Sequence, residues 1–407
     1  MEFLPHQITT AKEALGILRD LGVVYINGQP RSGKTATALR VAETAKLDRW
    51  LILTKKNAIE GWTKFIEDTE LNLSKSYHVI NYEQIGKLKD NKATLKVNPK
   101  NYDGVILDEG HNYGAFPKPS NRVKLTRLLA YQLPLIVLSG TPIVESANTI
   151  YHQLWISKYS PFKFKNFYDF FRVYGKPYFI RAGGRDINQY DRFKPELLKE
   201  IEKFTVYMSQ EDAGINIQVQ DELHYVTLSK EHTYLYNELQ KHQLVNFTSP
   251  KHNFTLVCDS VMKLRTSLHM LESGVIKVED TYYDLGYDTK IQYILDNFGD
   301  TKDVGIMCHF IGERNKLENY FNHASIYSSN AHAEGVDLSH LKHFIILSSD
   351  YSGAKFIQRR ERIANINGSN STTVHHILVK GAISEQVYKT TSNKRDFNNK
   401  VFRPTDI

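Results

Sequence analysis

The chain has 407 residues, room for two or three domains at roughly 150 residues each, which excludes a peptide or a single small module. Its 41% hydrophobic and 24% charged residues are ordinary for a globular protein, and two distant cysteines, Cys258 and Cys308, exclude a disulfide framework or a cysteine-based zinc site. Lys+Arg outnumber Asp+Glu by 52 to 45, and the resulting +7 suits a nucleic-acid partner, though spread over this length it is weak evidence alone. Met1 to His6 has neither the basic start nor the apolar run of a signal peptide. No apolar stretch approaches the ~20 residues that cross a bilayer, so the expectation is a cytoplasmic location and no membrane partner.

Ile8, Ala11, Leu15 and Leu18 recur at helical spacing after Pro5, and Gly22 stops that helix. Val23 to Ile26 then reads as a strand, followed by candidates at Leu51 to Leu53, Val79-Ile80, Gly104 to Leu107 and Leu135 to Leu138. A stretch from about Tyr151 to Asp284, rich in aromatics and lysines, reads as mostly helical. A second set of apolar runs follows at Val304 to Met307, Ile326-Tyr327, Phe344 to Leu347 and Ile377 to Val379. Short unbroken runs of this kind are what parallel strands covered on both faces look like. The fold class expected is therefore α/β, with two lobes, 1–214 and 215–407, and a small helical insertion between them.

Gly28-Gln29-Pro30-Arg31-Ser32-Gly33-Lys34-Thr35 is a complete GxxxxGK[ST] between a strand and a helix start, the context this phosphate-cradling loop requires. Its glycines let backbone N–H groups turn toward phosphate oxygens, Lys34 would reach the β- and γ-phosphates of ATP, and the Thr35 hydroxyl would ligate Mg²⁺. Asp108-Glu109 follows the strand Val105 to Leu107, where open α/β sheets bind ligands. Asp108 would hold Mg²⁺ and Glu109 would polarise the attacking water. Ser139-Gly140-Thr141-Pro142, after the strand at Leu135 to Leu138, suits a relay between the nucleotide and whatever the lobes grip, with His111 as a further member. His111 has no partner histidines or cysteines at ligand spacing, which argues against a metal there.

The order P-loop, Asp-Glu-Gly-His, Ser-Gly-Thr-Pro resembles a superfamily 2 helicase or translocase, and further segments resemble its Swi/Snf-type branch. Leu4-Pro5-His6-Gln7 is similar to that branch's adenine-reading opening, with Gln7 in the glutamine position. Leu51 to Lys56 through Trp62, Asn81-Tyr82-Glu83, and Pro142-Ile143 to Leu154-Trp155 resemble its next motifs. Leu223 to Ser229 and Val374 to Leu378 with Gly381 to Glu385 resemble the strands and tail of its second lobe. The likeness implies two RecA-like lobes with ATP between them. It also implies that Gly335 and Asp337 of Glu334-Gly335-Val336-Asp337-Leu338 approach the nucleotide, and that Gln358 to Asn365 supplies an arginine finger. In one register Gln358 and Arg362 take the Gln and first-Arg positions; in the other Arg359 and Arg362 are the two fingers. Such a cation is worth about 10³–10⁵ in rate, roughly 4–7 kcal/mol of barrier.

The resemblance further implies a nucleic-acid grip by Thr54, Lys55, Lys56, Asn81 and Tyr82 in the first lobe and His309 and Asn330 in the second. Phe162 to Arg172 interleaves aromatics with cations, either a base-stacking surface or, as such spacing more often is, an amphipathic helix burying its rings. Departures are a second lobe that lacks a βα unit, Gly110 where alanine is usual, a mild change, and a helical middle short for a chromatin remodeller. They fit a compact phage or bacterial relative. The reading is an ATP-dependent, monomeric DNA translocase or helicase, with replication or recombination proteins as candidate partners. An RNA helicase of the same superfamily or a catalytically retired nucleic-acid-binding scaffold are the alternatives.

Overall fold

The computed structural model describes residues 2–29, 31–68, 71–89, 92–140, 146–182, 185–214, 220–248, 253–329, 341–353, 356, 373–393 and 402. The chain forms two compact units, 1–216 and 217–407.

In the first unit six parallel strands form one sheet: β1 (Val23–Gly28), β2 (Arg49–Thr54), β3 (Ser76–Asn81), β4 (Gly104–Leu107), β5 (Leu135–Ser139) and β6 (Thr205–Met208), in the order β6-β1-β5-β4-β2-β3. Alternate residues feed two cores. Val23, Tyr25, Leu51, Leu53, Val105, Leu107, Leu135 and Val137 pack on one face with Leu129, Ile150 and Phe170. Val24, Ile26, Trp50, Ile52, Ile106 and Leu138 pack on the other with Ala14, Leu39 and Trp62. Because both faces are covered, the central strands β1, β2, β4 and β5 carry little polar alternation and read as continuous apolar runs, whereas the edge strands β3 and β6 keep exposed positions.

Three helices cover the second of those faces: α1 (Pro5–Leu21), α2 (Lys34–Thr44) and α3 (Ile59–Ile66). Pro5 starts α1 where a missing N–H costs nothing. Gly22 ends it in the left-handed conformation (φ 72°), its N–H reaching Leu18 O at 2.8 Å. Ala11, Ala14 and Leu18 are its buried stripe, whereas Ile8 is 44% exposed.

The second unit has a five-stranded parallel sheet of β7 (Gln220–Val226), β8 (Val304–Cys308), β9 (Ser325–Ser328), β10 (His343–Ile346) and β11 (Thr373–Val379), in the order β7-β11-β10-β8-β9. Helices Lys230–His242, Val261–Leu271, Thr289–Phe298 and Ile383–Thr391 pack against the face carrying Ile306, Ile345 and Ile377. In that core Lys290 Nζ and Glu272 Oε2 form a 2.9 Å ion pair, with side chains 1% and 0% exposed.

The stretch read as mostly helical is more mixed. Besides helices it holds β6, β7 and three antiparallel hairpins, Tyr178–Ala182 with Arg185–Gln189, Leu244–Thr248 with Asn253–Val257, and Val275–Val278 with Thr281–Asp284. The aromatic segment is core: Phe162, Phe167, Phe170 and Phe171 are buried and pack with Tyr151 and Phe204. Both units are parallel α/β sheets flanked by helices. Among the described residues no helix is long and apolar enough to cross a membrane.

Candidate nucleotide site

The glycine loop joins the end of β1 to the start of α2. Gly33 caps α2 with φ 89°, and a Cβ there would lie 2.4 Å from Gln7 Nε2. At Gly28 a Cβ would lie 2.5 Å from Lys34 Cγ and 2.7 Å from Ser32 Oγ. At Gly33 the left-handed backbone strains any larger residue, and at Gly28 a side chain would have to displace Lys34 and Ser32. Lys34 Nζ donates to Gly28 O at 2.6 Å and Gln29 O at 3.0 Å, which holds the ammonium at the loop. The Ser32 hydroxyl is buried without a hydrogen-bond partner among the described residues, an orphaned polar atom inside the cradle. Thr35 is half-buried in the first turn of α2, and Arg31 takes a positive φ of 63°.

Residues far apart in sequence brace this loop. His6 Nε2 lies 3.0 Å from Ser32 O, and Gln7 Oε1 accepts from Leu4 N at 3.0 Å while its amide packs on Gly33. Gln29 Oε1 accepts from Gln210 N at 2.6 Å.

At the end of β4, Asp108 Oδ2 accepts from Thr54 Oγ1 at 2.7 Å and from Trp62 Nε1 at 3.0 Å, and Oδ1 accepts from Glu109 N at 3.0 Å. Desolvation, then the charge of Glu109, raise the Asp108 pKa above the usual carboxylate range, against the pull of Trp62, Thr54 and Lys34. Two adjacent carboxylates with that bias suit a divalent cation, whose charge offsets both the burial and the mutual repulsion. Together with the Thr35 hydroxyl, this donor set fits Mg²⁺. Glu109 sits in the left-handed region (φ 50°, ψ 54°), an uncommon place for a non-glycine residue and one found at functional sites.

Glu109 Oε2 lies 3.3 Å from His111 Nδ1, which is 3.0 Å from Ser139 Oγ. Behind them the Tyr25 hydroxyl donates to Gln153 Oε1 at 2.7 Å and also bonds Ser139. Gly110 is no mild change: a Cβ there would lie 2.3 Å from Val137 Cγ1 and 3.2 Å from the Tyr25 hydroxyl.

Two residues expected to face nucleic acid are placed elsewhere. Thr54 is fully buried with its hydroxyl committed to Asp108, and Tyr82 is buried with its hydroxyl donating to Asp108 O at 2.5 Å. Both lie under the carboxylate because β2 and the turn after β3 end beside β4. Asn81 caps that turn, its Oδ1 accepting from Glu83 N and Gln84 N at 3.1 Å each. Lys56 is exposed and Lys55 half-buried. In the second unit, His309 follows β8, its N–H donating to Ser348 Oγ at 2.8 Å and its Nδ1 lying 2.7 Å from Ser329 Oγ. Pro30, Thr141, Asn330, Gly335, Asp337, Gln358, Arg359 and Arg362 lie outside the described residues.

Sequence reasoning missed Tyr25, Gln153 and the indole of Trp62. The visible signal for Tyr25 was a phenol in the otherwise aliphatic strand Val23-Val24-Tyr25-Ile26, a polar handle that must find a partner when buried.

A strand–glycine loop–helix with a carboxylate pair at the end of the strand two places away in the same sheet defines a P-loop nucleotide site. The SNF2-related domain matches residues 19–272, so the chain belongs to the SNF2-related family, in the Swi/Snf-like branch of superfamily 2. It matches none of the curated proteins compared with it. Among solved structures it is similar to the Sulfolobus solfataricus SWI2/SNF2 ATPase core in complex with dsDNA, at 16% identity and a TM-score of 0.39, over 96% of this chain and 90% of that chain.

Proposed function

We propose that the chain is a DNA-stimulated ATPase that couples hydrolysis to movement along double-stranded DNA. The observation that carries this reading is the convergence of Lys34, Asp108, Glu109, His111 and Ser139 at the ends of three neighbouring strands of one sheet. Lys34 and the loop amides bind the β- and γ-phosphates, and the Gln7 amide beside Gly33 reads the base. Thr35 and Asp108 hold Mg²⁺, which neutralises phosphate charge. Glu109 orients the attacking water, and its 3.3 Å contact with His111 links that task to Ser139. The cation that completes the site is assigned to Arg362 on sequence alone, with Gln358 or Arg359 as its companion, and Gly335 and Asp337 are assigned to the nucleotide on the same basis.

Lys55, Lys56, His309 and Asn330 remain the proposed backbone contacts, whereas Thr54 and Tyr82 act through Asp108. Such contacts position without reading sequence, so binding weakens steeply with salt. Phosphate release measured with duplex DNA, single-stranded DNA and RNA at matched salt tests the reading. Greatest stimulation by duplex DNA is expected. Greater stimulation by RNA would transfer the chain to the RNA-acting alternative, and no turnover with any of them would make it a retired scaffold.

A further inference from the structure

The sheet of the second unit carries a cluster that the nucleotide reading does not use. Glu222 and His224 are two apart on β7 and so face the same side, and Glu222 pairs directly with His375 on β11. Their ligand atoms converge. His224 Nε2 lies 3.0 Å from His375 Nδ1, and Glu222 Oε2 lies 3.3 Å from His375 Nδ1 and 3.7 Å from His224 Nε2. A triangle with these edges has a centre about 2 Å from every corner, and the edge of a tetrahedral zinc site with ~2.0–2.1 Å bonds is about 3.3–3.4 Å.

The outer nitrogens are already engaged as ligand histidines require. His224 Nδ1 lies 3.0 Å from the Tyr293 hydroxyl, and His375 Nε2 lies 3.0 Å from His343 Nδ1. If each outer nitrogen carries the proton, both inner nitrogens turn lone pairs toward the Glu222 oxygen, the tautomers a metal needs. Phe298 fixes the rings from the side, with centroids 4.5 Å from His375 and 5.6 Å from His224. His375 is 5% exposed, His224 19% and Glu222 53%, so the cluster is walled on the imidazole side and open at the carboxylate.

We propose that Glu222, His224 and His375 bind one Zn²⁺ ion, tying the edge strand β7 to β11. Two imidazoles and a carboxylate are a borderline donor set that suits zinc over Mg²⁺ or Ca²⁺, and the open side leaves a fourth position for water. Tyr293 and His343 are positioning residues behind the two ligand rings.

The test uses the full chain, stripped with a chelator and titrated with ZnCl₂ by calorimetry, and with Co²⁺ by visible absorption. The expected result is one ion per chain, a tetrahedral cobalt spectrum and a zinc-dependent rise in unfolding temperature. Glu222→Gln, at an exposed position, and His224→Asn should each weaken binding by about tenfold or more, and Tyr293→Phe by up to about that factor. Should His224→Asn fail to fold, Glu222→Gln decides alone. Absence of zinc binding by the wild-type chain overturns the proposal, and so does undiminished binding by Glu222→Gln.

Discussion

Replacing Thr54 by valine removes one donor from Asp108 while nearly preserving shape. The Thr54 hydroxyl is buried and lies 2.7 Å from Asp108 Oδ2, leaving Trp62 Nε1 at 3.0 Å as the remaining side-chain donor to that oxygen among the described residues. A hydrogen bond to a charged group is worth about 1.5–3 kcal/mol, so ionising Asp108 becomes harder by about that much. Its pKa is already raised, and the substitution raises it further. If the ionised carboxylate holds Mg²⁺, the acid limb of the pH–turnover profile moves to higher pH, while Thr54→Ser leaves it in place. A group whose folded pKa exceeds its unfolded value contributes stability below the unfolded pKa and loses it as pH rises through the folded one. The valine variant should therefore also lose stability more steeply across that window in urea titrations. Phosphate release from acid to alkaline pH supplies the profile. An acid limb unmoved in Thr54→Val would refute the assignment of Asp108 as the metal-holding group.

Other consequences concern the backbone and the second core. Glu109→Gln and Glu109→Asn should both abolish turnover, but asparagine tolerates the left-handed backbone (φ 50°) better. The Asn variant should be the more stable by about 1 kcal/mol, read as a higher unfolding temperature; equal stabilities would mean that the conformation stores no strain. Lys290→Met strands the Glu272 carboxylate, which is 0% exposed, and should cost about 3–5 kcal/mol in denaturant unfolding. Adding Glu272→Gln should restore much of that loss, and a single-variant cost below about 1 kcal/mol would count against the pair as a stabilising unit.

What could be read from the sequence follows from which interactions are local. The central strands of each sheet were legible because burial on both faces leaves an unbroken apolar run, whereas β6 and β7, partly exposed, were absorbed into the stretch read as helical; the glycine loop was legible because its constraints fall within eight residues. The hairpins were not, since their support is cross-strand: Phe247 stacks on Phe254 at 5.4 Å, a pairing invisible in a run of aromatics and lysines. Thr54 and Tyr82 looked like surface contacts because a motif position carries no information about which way the chain turns after the strand. Gly110 looked tolerant because the Val137 methyl that forbids a side chain there comes from a different strand. Gln153 completes a bond to Tyr25 across 128 residues, a separation no window spans.

The central claim is that Lys34 and Glu109 act on one triphosphate at the loop after β1. Its most direct test is phosphate release by the wild-type chain, Lys34→Ala and Glu109→Gln with saturating duplex DNA, alongside binding of a fluorescent ATP analogue. The account predicts DNA-stimulated turnover in the wild type, loss of both binding and turnover in Lys34→Ala, and binding without turnover in Glu109→Gln. Turnover at the wild-type rate in either variant would contradict it.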